Sequence, residues 1–130
     1  MIEEGVSFEL NDEVKPYNIR HRSYYFAKDL IGFIGSTEID RKYSSLFDQL
    51  LRSGTSIGAN VVESKAGSSK KDWIKFLTIA LKSANETKYW LCLIRDSLDL
   101  PKDRITALII EADEISKIIA SIIVRAAENK

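Results

Sequence analysis

Residues Leu46 to Arg95 read LFDQLLRSGTSIGANVVESKAGSSKKDWIKFLTIALKSANETKYWLCLIR, and the spacing of polar and apolar side chains in this stretch decides the fold. In its first half Gln49, Arg52, Ser53, Ser56, Asn60 and Glu63 recur at threes and fours, which puts them on one helical stripe. Leu46, Leu50, Ile57 and Val61, with Phe47, Leu51 and Val62 beside them, form the apolar flanks. Gly54, Gly58 and Ala59 carry little or no side chain, so a second helix can approach closely, at some cost in helix propensity. The Gly54/Gly58 pair fits a membrane-dimer spacing, but Gln49, Arg52, Asn60 and Glu63 interrupt any apolar run, and tight packing is the reading that remains.

A small-polar break at Lys65 to Ser69 follows, in which Ser68 or Ser69 can cap a third helix whose first turn holds Asp72, where the helix dipole favours an anion. From there Trp73, Leu77, Ala80, Ala84, Thr87, Leu91, Ile94 and Leu98 alternate at four and three, a heptad seam, and Phe76, Ser83 and Trp90 mark a second seam at sevens. Two seams on one helix call for neighbours on both sides. With the loop centred near Gly67 and Ser68, antiparallel pairing brings Arg52 within reach of Glu86 and Ser53 within reach of Ser83. The expectation is a buried interhelical network of Arg52, Ser53, Ser56, Asn60, Glu63, Ser83 and Glu86 that fixes register, in which Arg52→Ala or Glu86→Ala costs on the order of 3 kcal/mol by stranding a charge. The rival reading makes Arg52, Asn60, Glu63 and Glu86 a small enzyme or small-molecule site between the second and third helices.

The run Q-L-x-R-S-x-T-S-I-x-A-N-x-x-E (Gln49 to Glu63), the small-polar loop, and F-L-x-I-A-L-x-S-A-x-E (Phe76 to Glu86) resemble a bacterial four-helix-bundle family that includes proteins encoded in intervening sequences of large-subunit ribosomal RNA genes. The match is specific from Gln49 to Glu86 and compatible from about Asn18 to Glu128, with Arg52, Ser53, Ser56, Asn60, Glu63, Ser83 and Glu86 on the recurrent polar positions. Where the family commonly has Glu-Gly, this chain reads Glu63-Ser64, with Gly67 three residues on. The resemblance implies a homopentamer. It also implies a macromolecular partner, since a related accessory protein of diversity-generating retroelements is a basic pentameric barrel that contacts nucleic acid and a reverse transcriptase.

Composition bounds the rest. A length of 130 residues, 45% apolar and 29% charged, is one soluble domain's worth. The formal net charge is zero, so any nucleic-acid site has to be local. The one such surface is the third-helix stripe of Lys71, Lys75 and Lys82, in line with Tyr89 and near Lys65 and Lys70. His21 and Cys92 are the single residues of their kinds, so zinc sites, histidine triads and internal disulfides lack their parts, and neither metal nor cofactor is expected. Gly67 to Lys71 lacks the spacing and the preceding strand of a P-loop. With no leader and no membrane-length apolar run, a cytoplasmic, non-membrane protein is expected.

Along the chain, residues 1–17 read as an extended or disordered acidic arm, closed by Pro16, and residues 18–130 as the bundle. The first helix is expected over about Ile19 to Ile34, with Tyr24, Ala27, Ile31 and Ile34 on one face and Phe26, Leu30 and Phe33 beside them. Arg20, His21 and Arg22 form a solvated basic helix start, and Glu111, Asp113 and Glu114 a solvated acidic face. Gly35 and Ser36 end the first helix, the second begins near Ser44, and Pro101 opens the last. There Ile105, Leu108, Ala112, Ile115, Ile119, Ile122 and Ala126 repeat at threes and fours, with Ile110 and Val124 off the stripe. The fold class is all-α, an up-down-up-down antiparallel four-helix bundle with an acidic N-terminal arm. The function expected is non-enzymatic: a self-assembling scaffold larger than a dimer, whose partner is RNA, DNA or another protein.

Overall fold

The computed structural model describes residues 18–128, so the expected acidic arm lies outside the described residues. Four helices account for most of them: α1 (Ile19–Gly35), α2 (Ser44–Lys65), α3 (Lys70–Ser97) and α4 (Lys102–Glu128), with a short 3-10 turn, Arg41–Tyr43, leading into α2. Their ends are set by local chemistry. Asn18 Oδ1 accepts from the His21 amide at 3.2 Å, and the Ser69 hydroxyl accepts from the Asp72 amide at 3.1 Å, so α1 and α3 are both capped by the residue before them. Asp40 caps the 3-10 turn through the Lys42 amide. Pro101 stands just ahead of α4, and Lys102 reaches back to the Leu98 carbonyl at 2.7 Å, neutralising the end of α3.

Pair contacts give the topology. Ser23 meets Gly58 while Leu30 meets Gly54; Arg52 meets Glu86 and Ser56 meets Ser83; Lys88 meets Asp113 while Trp73 lies beside Ala126; Arg22 meets Glu111 while Arg104 meets Phe33. In each pair one number rises as the other falls, so every neighbouring pair is antiparallel and the helices close into an up-down-up-down bundle. Its interior is filled by Leu50, Ile57 and Val61 of α2, Leu77, Ala80, Ala84, Leu91 and Ile94 of α3, and Ile105, Ala112, Ile115 and Ile119 of α4, all buried. These are the stripes expected from the sequence, and Ile110 and Val124 are exposed as their phase requires.

Of the two apolar sets on the first helix, the structure buries one. Its core face is Phe26, Leu30 and Phe33. Tyr24 and Ile31 are exposed, and Ala27 and Ile34 are half-buried. α1 carries two apolar stripes, and packing selects the one with the larger side chains, because α2 presents Gly54 to it and a buried Leu30 fills that gap. The other stripe is left on the surface.

Both charged clusters differ from their reading as solvated faces. His21 is buried, Arg22 makes a two-pronged ion pair with Glu111 through Nε at 3.0 Å and an Nη atom, and Asp113 accepts from Lys88 and Lys117. The Lys117 ammonium, and after it that of Lys88, holds the Asp113 carboxyl below the ordinary carboxylate range. These contacts pin α4 to α1 and to α3; of the three acids only Glu114 is fully exposed.

Candidate functional site

The polar positions of α2 and α3 are brought together in the expected register to within a turn: Arg52 meets Glu86 as expected, and only the partner of Ser53 is displaced. Gly67 packs on Asp72 Cβ and the Trp73 amide, so the connection doubles back along the first turn of α3. Ser53 therefore faces Thr87, not Ser83, with the two hydroxyls 3.0 Å apart in the buried seam. The Thr87 hydroxyl, fully buried, donates to the Ser83 carbonyl at 2.7 Å. The Ser83 hydroxyl meets that of Ser56 at 3.0 Å, and Ser56 in turn accepts from the Asn60 side-chain amide at 3.0 Å. This inner row is a satisfied polar ladder between helices. The sequence places Thr87 in the seam, and its being the one polar residue in that otherwise apolar series is the signal that it belongs to the ladder.

Outside that row lies a second one. An Arg52 Nη atom donates to Glu86 Oε2 at 2.7 Å and to Gln49 Oε1 at 2.7 Å, and the Trp90 indole N–H donates to the same Glu86 oxygen at 2.9 Å. The expected pair is thus present but not buried: the Arg52 side chain is 62% exposed and that of Glu86 37%. The charged row lies outward because Arg52 and Glu86 are each one residue away from Ser53 and Thr87, which take the buried seam itself. Arg52→Ala should therefore change the unfolding free energy by less than about 1 kcal/mol, as for other exposed ion pairs, and not by the roughly 3 kcal/mol of a buried one. Urea denaturation followed by circular dichroism measures it.

Glu63 does not join the network. It is exposed and borders a different feature, a groove of about 260 Å³ between α1 and α2 lined by Tyr24, Ala27, Thr55, Gly58, Ala59 and Val62, with Arg20 also on its edge. The groove exists because Gly58 and Ala59 place almost no side chain between the helices, and the displaced α1 stripe forms its other wall. Ile31 and Leu51, both exposed, lie on the same side of their helices as the lining residues.

Lys71, Lys75 and Lys82 are all exposed on the outward side of α3. Of the two acids between Lys70 and Lys88, Asp72 is held by Ser68 and Ser69 and Glu86 by Arg52 and Trp90. Lys88 is withdrawn from the surface by Asp113 and Ser116. Among the described residues no group of three or more His, Cys, Asp or Glu could hold a metal ion, and no helix is long and apolar enough to cross a membrane.

No curated protein matches the chain. A solved structure of a protein of unknown function from the S23 ribosomal protein family of Bacteroides thetaiotaomicron does, with 36% identity and a TM-score of 0.74 over 81% of this chain and 94% of that one. Residues 15–121 match the 23S rRNA-intervening sequence protein family, a span that takes in the polar ladder, the loop at Gly67 and most of all four helices. Sequence profile and three-dimensional likeness agree over nearly the whole bundle, and the chain belongs to the 23S rRNA-intervening sequence protein family.

Proposed function

We propose that the protein is a non-enzymatic, self-assembling helical bundle, a homopentameric scaffold whose outer surface binds a macromolecular partner, with nucleic acid the partner that suits the α3 lysines. The observation that carries self-assembly is the displaced stripe of α1. Tyr24, Ile31 and Leu51 stand exposed around a groove whose floor is glycine and alanine, a surface more apolar than a chain with 29% charged residues needs to leave in water. Knobs of that size and a small-residue groove are what helices use to pack closely, so burial of this face between copies gains apolar contact without rearranging the bundle. The pentamer number comes from the family resemblance.

Nucleic acid is supported by the lysine stripe, whose two neighbouring acids are engaged by other side chains, Asp72 by Ser68 and Glu86 by Arg52 and Trp90, and which a ring would repeat once per subunit so that individually weak phosphate contacts add. The polar row between α2 and α3 supports the structural reading over a catalytic one, because its members satisfy each other.

Light scattering at micromolar concentration tests the assembly. Five times the 14.7 kDa chain mass is expected for the parent, and collapse to the single-chain mass for Ala59→Arg, which fills the groove with a charge while projecting from the outward side of α2. A monomeric parent would remove the proposal.

A further inference from the structure

The two rows of polar and basic residues that the sequence presents separately are joined in the structure, and their junction is an aromatic ring. Tyr89 is 60% exposed, as exposed as any large apolar or aromatic side chain among the described residues. It lies seven residues beyond Lys82, which lies seven beyond Lys75, so the three project along one line of α3 at steps of about 10 Å. A tyrosine this far in water would ordinarily sample several rotamers. Here its ring abuts the Trp90 ring edge-on, with centroids 5.1 Å apart and planes at 71°. Trp90 is half-buried against the core and anchored through its indole N–H to Glu86, which Arg52 and Gln49 hold in turn. The outer polar row therefore ends by bracing an exposed aromatic face beside a lysine line.

We infer that Lys75, Lys82 and Tyr89 form a binding surface for single-stranded nucleic acid, with the lysines taking phosphates and the Tyr89 ring stacking on an unpaired base. This rests on the nucleic-acid reading above and narrows it. Charge complementarity selects a polyanion, and the aromatic selects the strand form. In a duplex the base faces are stacked and inaccessible to a side chain on a convex helix, whereas a single strand offers a π-face at every nucleotide, whatever its sequence. Gln49, Arg52 and Glu86 act as positioning residues, with no contact to the strand required.

Fluorescence anisotropy with labelled oligouridylate, oligothymidylate and a mixed-sequence duplex, each at low and at near-physiological salt, tests the inference on the full chain. Single strands are expected to bind on the order of tenfold or more tighter than duplex, and Tyr89→Ala to weaken single-strand binding on the order of tenfold, the effect of one lost stacking contact. Tyr89→Phe keeps the ring and should restore parental affinity, and neither substitution should change duplex binding. Both side chains are mostly in water at this position, so circular dichroism should show an unaltered fold. If duplex binds as well as single strands and Tyr89→Ala changes neither, the inference falls while the lysine-stripe reading stands. If no nucleic acid binds at low salt, both fall, and a protein partner takes the place of nucleic acid.

Discussion

Gly54→Val should destabilise the bundle by roughly 3 kcal/mol or more, the largest effect expected of any single exchange at a glycine among the described residues. Gly54 is buried where α1 crosses α2, and a Cβ there would overlap the Leu30 side chain and touch Phe26 Cε2 at 3.7 Å. Leu30 and Phe26 are themselves at 0% and 1% exposure, so neither can swing into open space. The helices must separate or Leu30 must leave its rotamer, and a β-branched residue adds a second methyl to the same overlap. Replacing glycine within a helix would otherwise gain about 1 kcal/mol, which is why the sign of the effect is informative. Gly35→Ala is the matching control: nothing lies within 4 Å of a Cβ at Gly35, so this variant should be as stable as the parent or slightly more stable. Chemical denaturation of the parent and both variants decides the matter. Parental stability of Gly54→Val would mean that α1 and α2 are further apart than described.

Changing Lys71, Lys75 and Lys82 together to Glu should weaken nucleic-acid binding at low salt by on the order of a hundredfold or more. Three phosphate contacts correspond to a log–log salt slope of about −2 on a single strand, or roughly 20-fold in affinity between 50 and 200 mM salt, and reversing the charges turns each attraction into a repulsion. A ring would steepen both effects by presenting the stripe more than once. The fold should not suffer. All three side chains are exposed, none has a carboxylate partner among the described residues, and Lys71 lies in the first turn of α3, where an acidic residue is favoured by the helix dipole. The triple variant therefore separates surface charge from stability. Unchanged affinity at two salt concentrations would place nucleic acid elsewhere or nowhere on this protein.

Much of the architecture was legible without coordinates, for a definite reason. In α2 and α4 one apolar stripe dominates, and in α3 the unbroken Trp73-to-Leu98 seam outweighs the sparser one at sevens; hence Leu50, Ile57, Leu77, Ala84, Leu91, Ile105, Ile115 and Ile119 are buried where their periodicity puts them. The cap at Ser68 or Ser69, which falls to Ser69, the turn near Gly67 and the start of the last helix beside Pro101 are local chemistry and follow from a few neighbouring residues. The pairing of Arg52 with Glu86 was legible too, since two complementary polar stripes joined by a short loop leave little freedom.

Three things needed the tertiary structure. Periodicity in α1 offers two apolar stripes of similar strength, and only the space beside Gly54 chooses Phe26, Leu30 and Phe33 for the core and leaves Tyr24 and Ile31 outside. Loop length fixes register to within about a turn, and the folding of Gly67 onto Asp72 and Trp73 settles the remainder, exchanging the expected Ser53–Ser83 contact for Ser53–Thr87, while Arg52 and Glu86, each one residue off that seam, pair at its exposed rim. Charged clusters carry no address in sequence: Arg22, Glu111 and Asp113 read as solvated because the partners that hold them on neighbouring helices lie 25 to 89 residues away. Local spacing specifies which face of a helix is apolar, but which of two faces is covered, and which charge meets which, is set by the neighbouring helix.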